Sequence, residues 1–202
     1  LFYTYKNHFE KLRLKLLQMD TIETVTGLVF LDQLHAMYYT AKHLVVMFGK
    51  IQGKSANYEV KNTFTDYREV NKSHIRRIEK IFAIMGEQPA GRKCDEVLDV
   101  MKEADEVIRK TPEDSHSRDE GLIKAAQKAE NFGMDICCNL ADLAKKLGVP
   151  EAAKLLRQTL EEEKQASNRF EKMQNKFAYR YVSWADDFVL PRLSPFTTPP
   201  QK

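Results

Sequence analysis

The sequence predicts an all-α protein, an antiparallel bundle of four long helices with one shorter helix between the pairs. Three observations carry this expectation. Between the glycine and proline breaks every long segment repeats its apolar residues at spacings of three and four, no segment alternates as a strand does, and two long helical hairpins flank the shorter segment. At 202 residues, 43% of them apolar and 30% charged, the chain has the size and composition of one domain with its own core.

The elements follow in order. An amphipathic segment runs from Tyr5 to Gln18. The next helix, Thr21 to Ile51, sets Leu34, Tyr38, Ala41, Val45 and Phe48 on one face and stops at the break Gly53 to Asn57. A third, Asn57 to Met85, carries Tyr67, Asn71, His74, Ile78, Ile81 and Met85 along its stripe and ends at Gly86 with Pro89 beyond, the usual glycine stop. The short helix, Cys94 to Arg109, turns Val97, Met101, Ala104 and Ile108 inward. After the polar loop Lys110 to Ser117, the next long helix spans Arg118 to Leu147, and its stripe of Ile123, Ala126, Met134, Cys137 and Leu140 also includes Glu130. The last core helix opens at Pro150, a residue suited to a first helical turn, and continues past Phe177 toward Trp184. Leu156, Leu160, Phe170 and Met173 mark its buried face, and Glu163 lies among them. Prolines 191, 195, 199 and 200 prevent a helix at the end of the chain. The expected organisation is an N-terminal extension over 1–20, a bundle over 21–177 and an aromatic, proline-rich tail over 178–202.

Charge and composition exclude several function classes. The net charge of +3 comes from 32 basic and 29 acidic residues spread through the chain, so no basic field of the kind that binds nucleic acid is present. The longest apolar run, Thr26 to Leu34, is broken by Asp32 and falls well short of the roughly 20 residues a bilayer span requires, which predicts that nothing crosses a membrane. Cys94, Cys137 and Cys138 cannot all pair, the adjacent two cannot readily bridge within one helix, and no CxxC spacing accompanies them. They read as small core hydrophobes in a reducing intracellular compartment. The first residue, Leu1, reads as that of a truncated or processed chain.

Several segments then resemble one family in order and spacing: His74-Ile-Arg-Arg-Ile78 and Gly86, Arg92-Lys-Cys94, Glu103 to Ile108, Arg118-Asp119, Ala125 to Glu130, Leu143 to Gly148, Glu151 to Leu156, and Thr159-Leu-Glu-Glu-Glu-Lys164. Over Thr21 to Asn168 the chain resembles the bacterial YciE/YciF-like stress proteins, a branch of the ferritin-like superfamily. The resemblance implies a ferritin-like bundle holding a di-iron pair among inward carboxylates and histidine or glutamine. By the same resemblance several ligand positions are lost. Ala41 stands where a glutamate is expected, Glu69 and Val70 replace an acidic pair, Gly133 replaces the second acid after Glu130, and Ser167 stands in place of an acid after Glu162 and Glu163. No helical Glu-x-x-His remains, since Asn71 precedes His74 by three, and Glu113-Asp-Ser-His116 falls in a polar loop.

His74, Glu130, Glu163 and Tyr38 survive as inward polar positions. They read as a buried hydrogen-bonded network in which a protonated His74 or a neutral acid balances charge, against the alternative of a residual metal site. No catalytic residue, no bound metal and no cofactor is expected. The functional expectation is a non-catalytic ferritin-like bundle serving as a structural or accessory subunit, with a mitochondrial complex as the leading setting and other protein subunits as partners through the terminal extensions. The competing expectation is a di-iron oxidase or stress protein with an incomplete ligand set. A small-molecule binder using a void left by Ala41 and Gly133 ranks third.

Overall fold

The computed structural model describes residues 21–187, with side chains over 23–177; the expected helix from Tyr5 to Gln18 and the tail beyond Asp187 lie outside the described residues. Among the described residues all regular structure is helical: α1 (Thr21–Gln52), α2 (Tyr58–Met85), α3 (Asp95–Lys110), α4 (His116–Lys146) and α5 (Pro150–Asp187). The last helix thus runs past the expected bundle boundary at 177. None of these helices is long and apolar enough to cross a membrane.

Local chemistry sets the ends. The Asn57 side chain accepts the amides of Glu59 and Val60 and so satisfies two of the orphan donors at the start of α2. Ser115 does the same for Arg118 at the start of α4, which explains why that helix begins two residues before the position periodicity suggests. Gly86 and Gly148 both adopt positive φ, 74° and 66°, and each is followed by an amide that turns back onto the preceding helix, Glu87 N–H to Phe82 O and Val149 N–H to Ala144 O.

Short connections make α1 with α2 and α4 with α5 two antiparallel hairpins; α1 also packs on α4 and α2 on α5, and α3 lies against α4 and the edge of α1. Two buried residues adjacent in sequence fasten the corners. Asp119 accepts the amides of Ala56 at 2.9 Å and Asn57 at 2.7 Å, tying the α1–α2 connection to α4. Arg118 donates to the carbonyls of Ile108 and Thr111, holding the end of α3. The Arg118-Asp119 pair is therefore a structural clamp.

The core divides into two apolar clusters. One holds Phe48, Phe64, Tyr67 and Phe170, whose rings lie 4.8–6.4 Å apart, and the other gathers Phe30, Leu34, Ile78, Phe82, Leu140 and Leu156. Between them on the four long helices stand Ala41 and Leu44, Asn71 and His74, Glu130 and Gly133, and Thr159 and Glu163. A polar layer thus crosses an otherwise apolar bundle. Val45, Met85, Met101, Ile108, Met134 and Leu160, expected on the inward stripes, are only partly buried because each sits at the margin of its stripe.

Candidate functional site

The centre of the bundle is built from α2, α4 and α5. His74, Glu130 and Glu163 are 1%, 1% and 3% exposed, as their helix phases predict. His74 projects from α2 toward α5 and meets two consecutive glutamates: its Nε2 lies 3.1 Å from Glu162 Oε2 and its Nδ1 lies 3.2 Å from Glu163 Oε1. Each ring nitrogen faces a carboxylate oxygen, an arrangement that suits the doubly protonated ring, which donates at both positions. Burial pushes this imidazole toward neutrality, but hydrogen bonds and charge from Glu162 and Glu163 outweigh it and raise its pKa.

Glu162 is gripped from the other side by Arg77, one turn beyond His74 on α2. Arg77 Nη1 donates to Oε2 at 2.8 Å and Nη2 to Oε1 at 2.5 Å, a bidentate fork, and Nη1 also reaches Thr159 Oγ1 at 3.1 Å. The His74 hydrogen bond first, and the Arg77 fork after it, hold Glu162 down to about 2 against the opposing effect of its partial burial. It is an anion throughout the physiological range.

Glu130 comes from α4 and lies within hydrogen-bonding reach of Glu163, with Asn71 its other polar neighbour; Asn71 Nδ2 also donates to Tyr67 O at 3.0 Å. Burial, then the Glu163 charge and hydrogen bond, raise Glu130 well above the usual carboxylate range. One oxygen of each acid, Glu130 Oε1 and Glu163 Oε2, finds no donor if both are ionised. A proton held on Glu130 resolves this, since it lets one acid donate to the other. Two cations, His74 and Arg77, then balance two anions, Glu162 and Glu163, with Glu130 neutral.

Gly133 makes the arrangement possible. A Cβ there would sit 2.5 Å from Glu163 Oε2 and 2.9 Å from its carboxyl carbon, so the space left by a missing side chain is filled by the Glu163 carboxylate itself. What remains is a cavity of about 10 Å³ bounded by Met37, Ala41, Asn71, His74, Gly133 and Glu163. That admits one water at most, so the void expected beside Ala41 and Gly133 is too small for an organic ligand.

The other expected positions do not converge on this centre. The Tyr38 hydroxyl donates to Glu79 at 2.9 Å, on the α1–α2 edge. Glu69 is exposed and pairs with Lys72, Val70 packs against the apolar core, and Ser167 bonds Asn131 at the rim; the inward position after Glu163 is Ala166, not Ser167. His116 opens α4 and stacks on Phe177 at 4.5 Å, remote from any ligand role. Sequence reading missed Arg77 and the part played by Glu162, because neither lies on an apolar stripe; the signal available was an arginine three residues after the inward histidine, facing a helix with paired acids. Among the described residues, Cys94, Cys137 and Cys138 are free, the first two buried.

Comparison with known proteins agrees with this architecture. A family model described as a domain of unknown function, DUF892, matches residues 27–183. Protein YciF of Escherichia coli K12 is 36% identical over 149 residues, covering 73% of this chain and 87% of YciF. The crystal structure of the E. coli stress protein YciF superposes with a TM-score of 0.72 at 31% identity, covering 80% of this chain and 99% of that one. YcfI from Rhodopseudomonas palustris matches at a TM-score of 0.68 and 24% identity, covering 71% of this chain and 90% of its own. A two-domain protein from Anabaena variabilis, with a DJ-1/ThiJ/PfpI-like and a ferritin-like domain, matches at 0.53 and 14% identity over 85% of this chain and 41% of its own. The last two speak to fold alone.

Proposed function

Since the chain belongs to the DUF892 family and has the ferritin-like fold of YciF, we propose that it is a non-catalytic member, a structural or accessory protein whose polar centre stabilises the bundle and performs no metal chemistry. The observation that carries this reading is the engagement of both His74 nitrogens by Glu162 and Glu163. A metal-binding histidine must offer a free ring lone pair, and here each nitrogen lies 3.1–3.2 Å from a carboxylate oxygen, a geometry that favours the doubly protonated ring.

The residues present fit a di-iron pair poorly. Such a pair needs several anionic oxygen ligands. Here burial and the Glu163 charge favour the neutral form of Glu130, Glu162 is committed to Arg77 and His74, Glu163 occupies the space a further ligand on α4 would need, and Ala41 faces the centre with a methyl group. The cationic charge a metal would bring is instead supplied by His74 and Arg77. The kinship with a stress protein and the long segments flanking the bundle suit a subunit held by its neighbours. On this reading the aromatic segment over 178–202, with Tyr179, Tyr181, Trp184, Phe188 and Phe196, supplies the anchors. The assembly lies in a reducing intracellular compartment, and a mitochondrial complex is the first setting to search.

Elemental analysis after expression in iron-supplemented medium tests the reading. No stoichiometric iron should survive dialysis. Iron retained at one or two atoms per chain, and lost in Glu130→Ala, would establish the di-iron alternative.

A further inference from the structure

We propose, on the reading of the polar centre as metal-free, that this centre holds one water molecule bound between the Thr40 hydroxyl of α1 and the Glu163 carboxylate of α5. Through that water α1 joins the polar layer.

Thr40 carries the inference. It is 4% exposed, and its Oγ1 is buried without a hydrogen-bond partner among the described residues. A helical threonine commonly turns its hydroxyl back onto the carbonyl four residues earlier, as Thr63 does to Glu59 O at 2.8 Å and Thr65 to Lys61 O at 2.9 Å. Thr40 does not. A buried hydroxyl with no partner is costly, which is why such groups are nearly always paired with protein or with ordered water. The Cys94 thiol lies near it, but sulfur is a weak acceptor and this thiol donates to Glu96 Oε2 at 3.1 Å.

Thr40 borders the same cavity of about 10 Å³ as Gly133 and Glu163. Glu163 Oε1 faces His74, whereas Oε2 lies over Gly133 and is itself buried without a partner. A proton on Glu130 serves this acid, yet an ionised carboxylate has about four lone-pair sites and accepts from a further donor as well. Two oxygens from different helices thus border one space the size of a single water. Charge decides what fills it. His74 and Arg77 already balance Glu162 and Glu163, so a monovalent cation would bring an uncompensated charge, and an apolar gas would leave both oxygens unpaired. Water donates to Glu163 and accepts from Thr40, and Asn71, which also borders the cavity, completes the roughly three bonds that buried waters make. Ile136 borders both this cavity and the surface depression of about 240 Å³ over Ala36 and Phe132, so solvent lies one side chain away and the site fills without unfolding of the bundle.

Oxygen-17 relaxation dispersion of the intact chain tests the proposal, because it counts long-lived internal waters and is blind to exchanging hydroxyl protons. Thr40→Val keeps the side-chain shape, removes the hydroxyl and should hold one long-lived water fewer per chain than the wild type, while Thr40→Ser should hold the same number. A crystal structure of the wild-type chain should show one water within hydrogen-bonding distance of Thr40 Oγ1 and Glu163 Oε2. Equal counts in the wild type and Thr40→Val would overturn the proposal and assign the hydroxyl to the Cys94 thiol. Loss in Thr40→Ser as well would make the effect one of packing and also overturn it. An empty cavity in iron-free protein defeats the water site alone; density for a metal there, with iron in the elemental analysis, defeats the metal-free reading together with it.

Discussion

Glu163 satisfies three neighbours at once: it faces His74 Nδ1 at 3.2 Å, lies within hydrogen-bonding reach of Glu130, and fills the space over Gly133. Its removal therefore leaves a buried imidazolium short of a counter-charge, and Glu163→Ala should cost ~3–5 kcal/mol in urea unfolding. Gly133→Ala should cost ~1–3 kcal/mol, because the new methyl group can be accommodated only by moving a carboxylate that both His74 and Glu130 hold in place. The same network sets a pH profile. Glu162 is lowered from 4.5 to about 2, so its contribution is present above pH 4.5 and is lost as pH falls from there toward 2. His74 is raised from 6.5, so its contribution is complete below pH 6.5 and is lost as pH rises through the higher folded value. Glu130, raised from 4.5, acts with the same sign as His74, since the unfolded chain releases its proton first. Urea midpoints should therefore be higher at pH 5.5 than at pH 8.5, and Glu130→Gln, which keeps a donor toward Glu163 without a titrating proton, should reduce that difference. An unchanged difference would mean that Glu130 is ionised in the folded protein. Burial of His74, Glu130 and Glu163 was legible from apolar spacing alone. Their partners were not, because Arg77 and Glu162 sit at the edge of the stripe and are recruited by the facing helix, a fact of tertiary packing.

At the scale of elements, punctuation made the fold readable. Gly86 and Gly148 terminate their helices through left-handed turns, and Asn57 opens α2 as a side-chain cap. The start of α4 was misplaced by two residues because the Ser115 cap acts from within a polar loop where hydrophobic periodicity is silent. The corner clamp was legible as a motif but not as a function: sequence spacing shows Arg118 beside Asp119, while only the assembled bundle shows one serving the end of α3 and the other the α1–α2 connection. Asp119→Ala strands two backbone amides in a buried corner and should destabilise the protein by ~2 kcal/mol, with faster amide exchange concentrated at Ala56 and Asn57. Exchange that accelerates evenly over all the helices would show that Asp119 acts through global stability and not through this corner.

For the whole molecule, the bundle needs no second chain to cover its central stripe, because the two hairpins bury each other's apolar faces and the polar layer balances its own charge. Whatever association the protein makes must then draw on surfaces outside that core. The segment beyond Phe177 has the composition for it: Tyr179, Tyr181, Trp184, Phe188 and Phe196 place five large aromatics within eighteen residues of sequence. Aromatic anchors at an interface commonly carry most of its binding energy, and truncating one costs ~2 kcal/mol or more. In the native extract, the tagged chain should co-purify with stoichiometric partners. The double variant Trp184→Ala/Phe188→Ala should lose them, while Glu130→Gln, which alters only the buried centre, should retain them at unchanged occupancy. The reverse pattern would place the interaction under control of the polar centre, and a chain that runs as a monomer in its own extract would remove the accessory-subunit reading altogether.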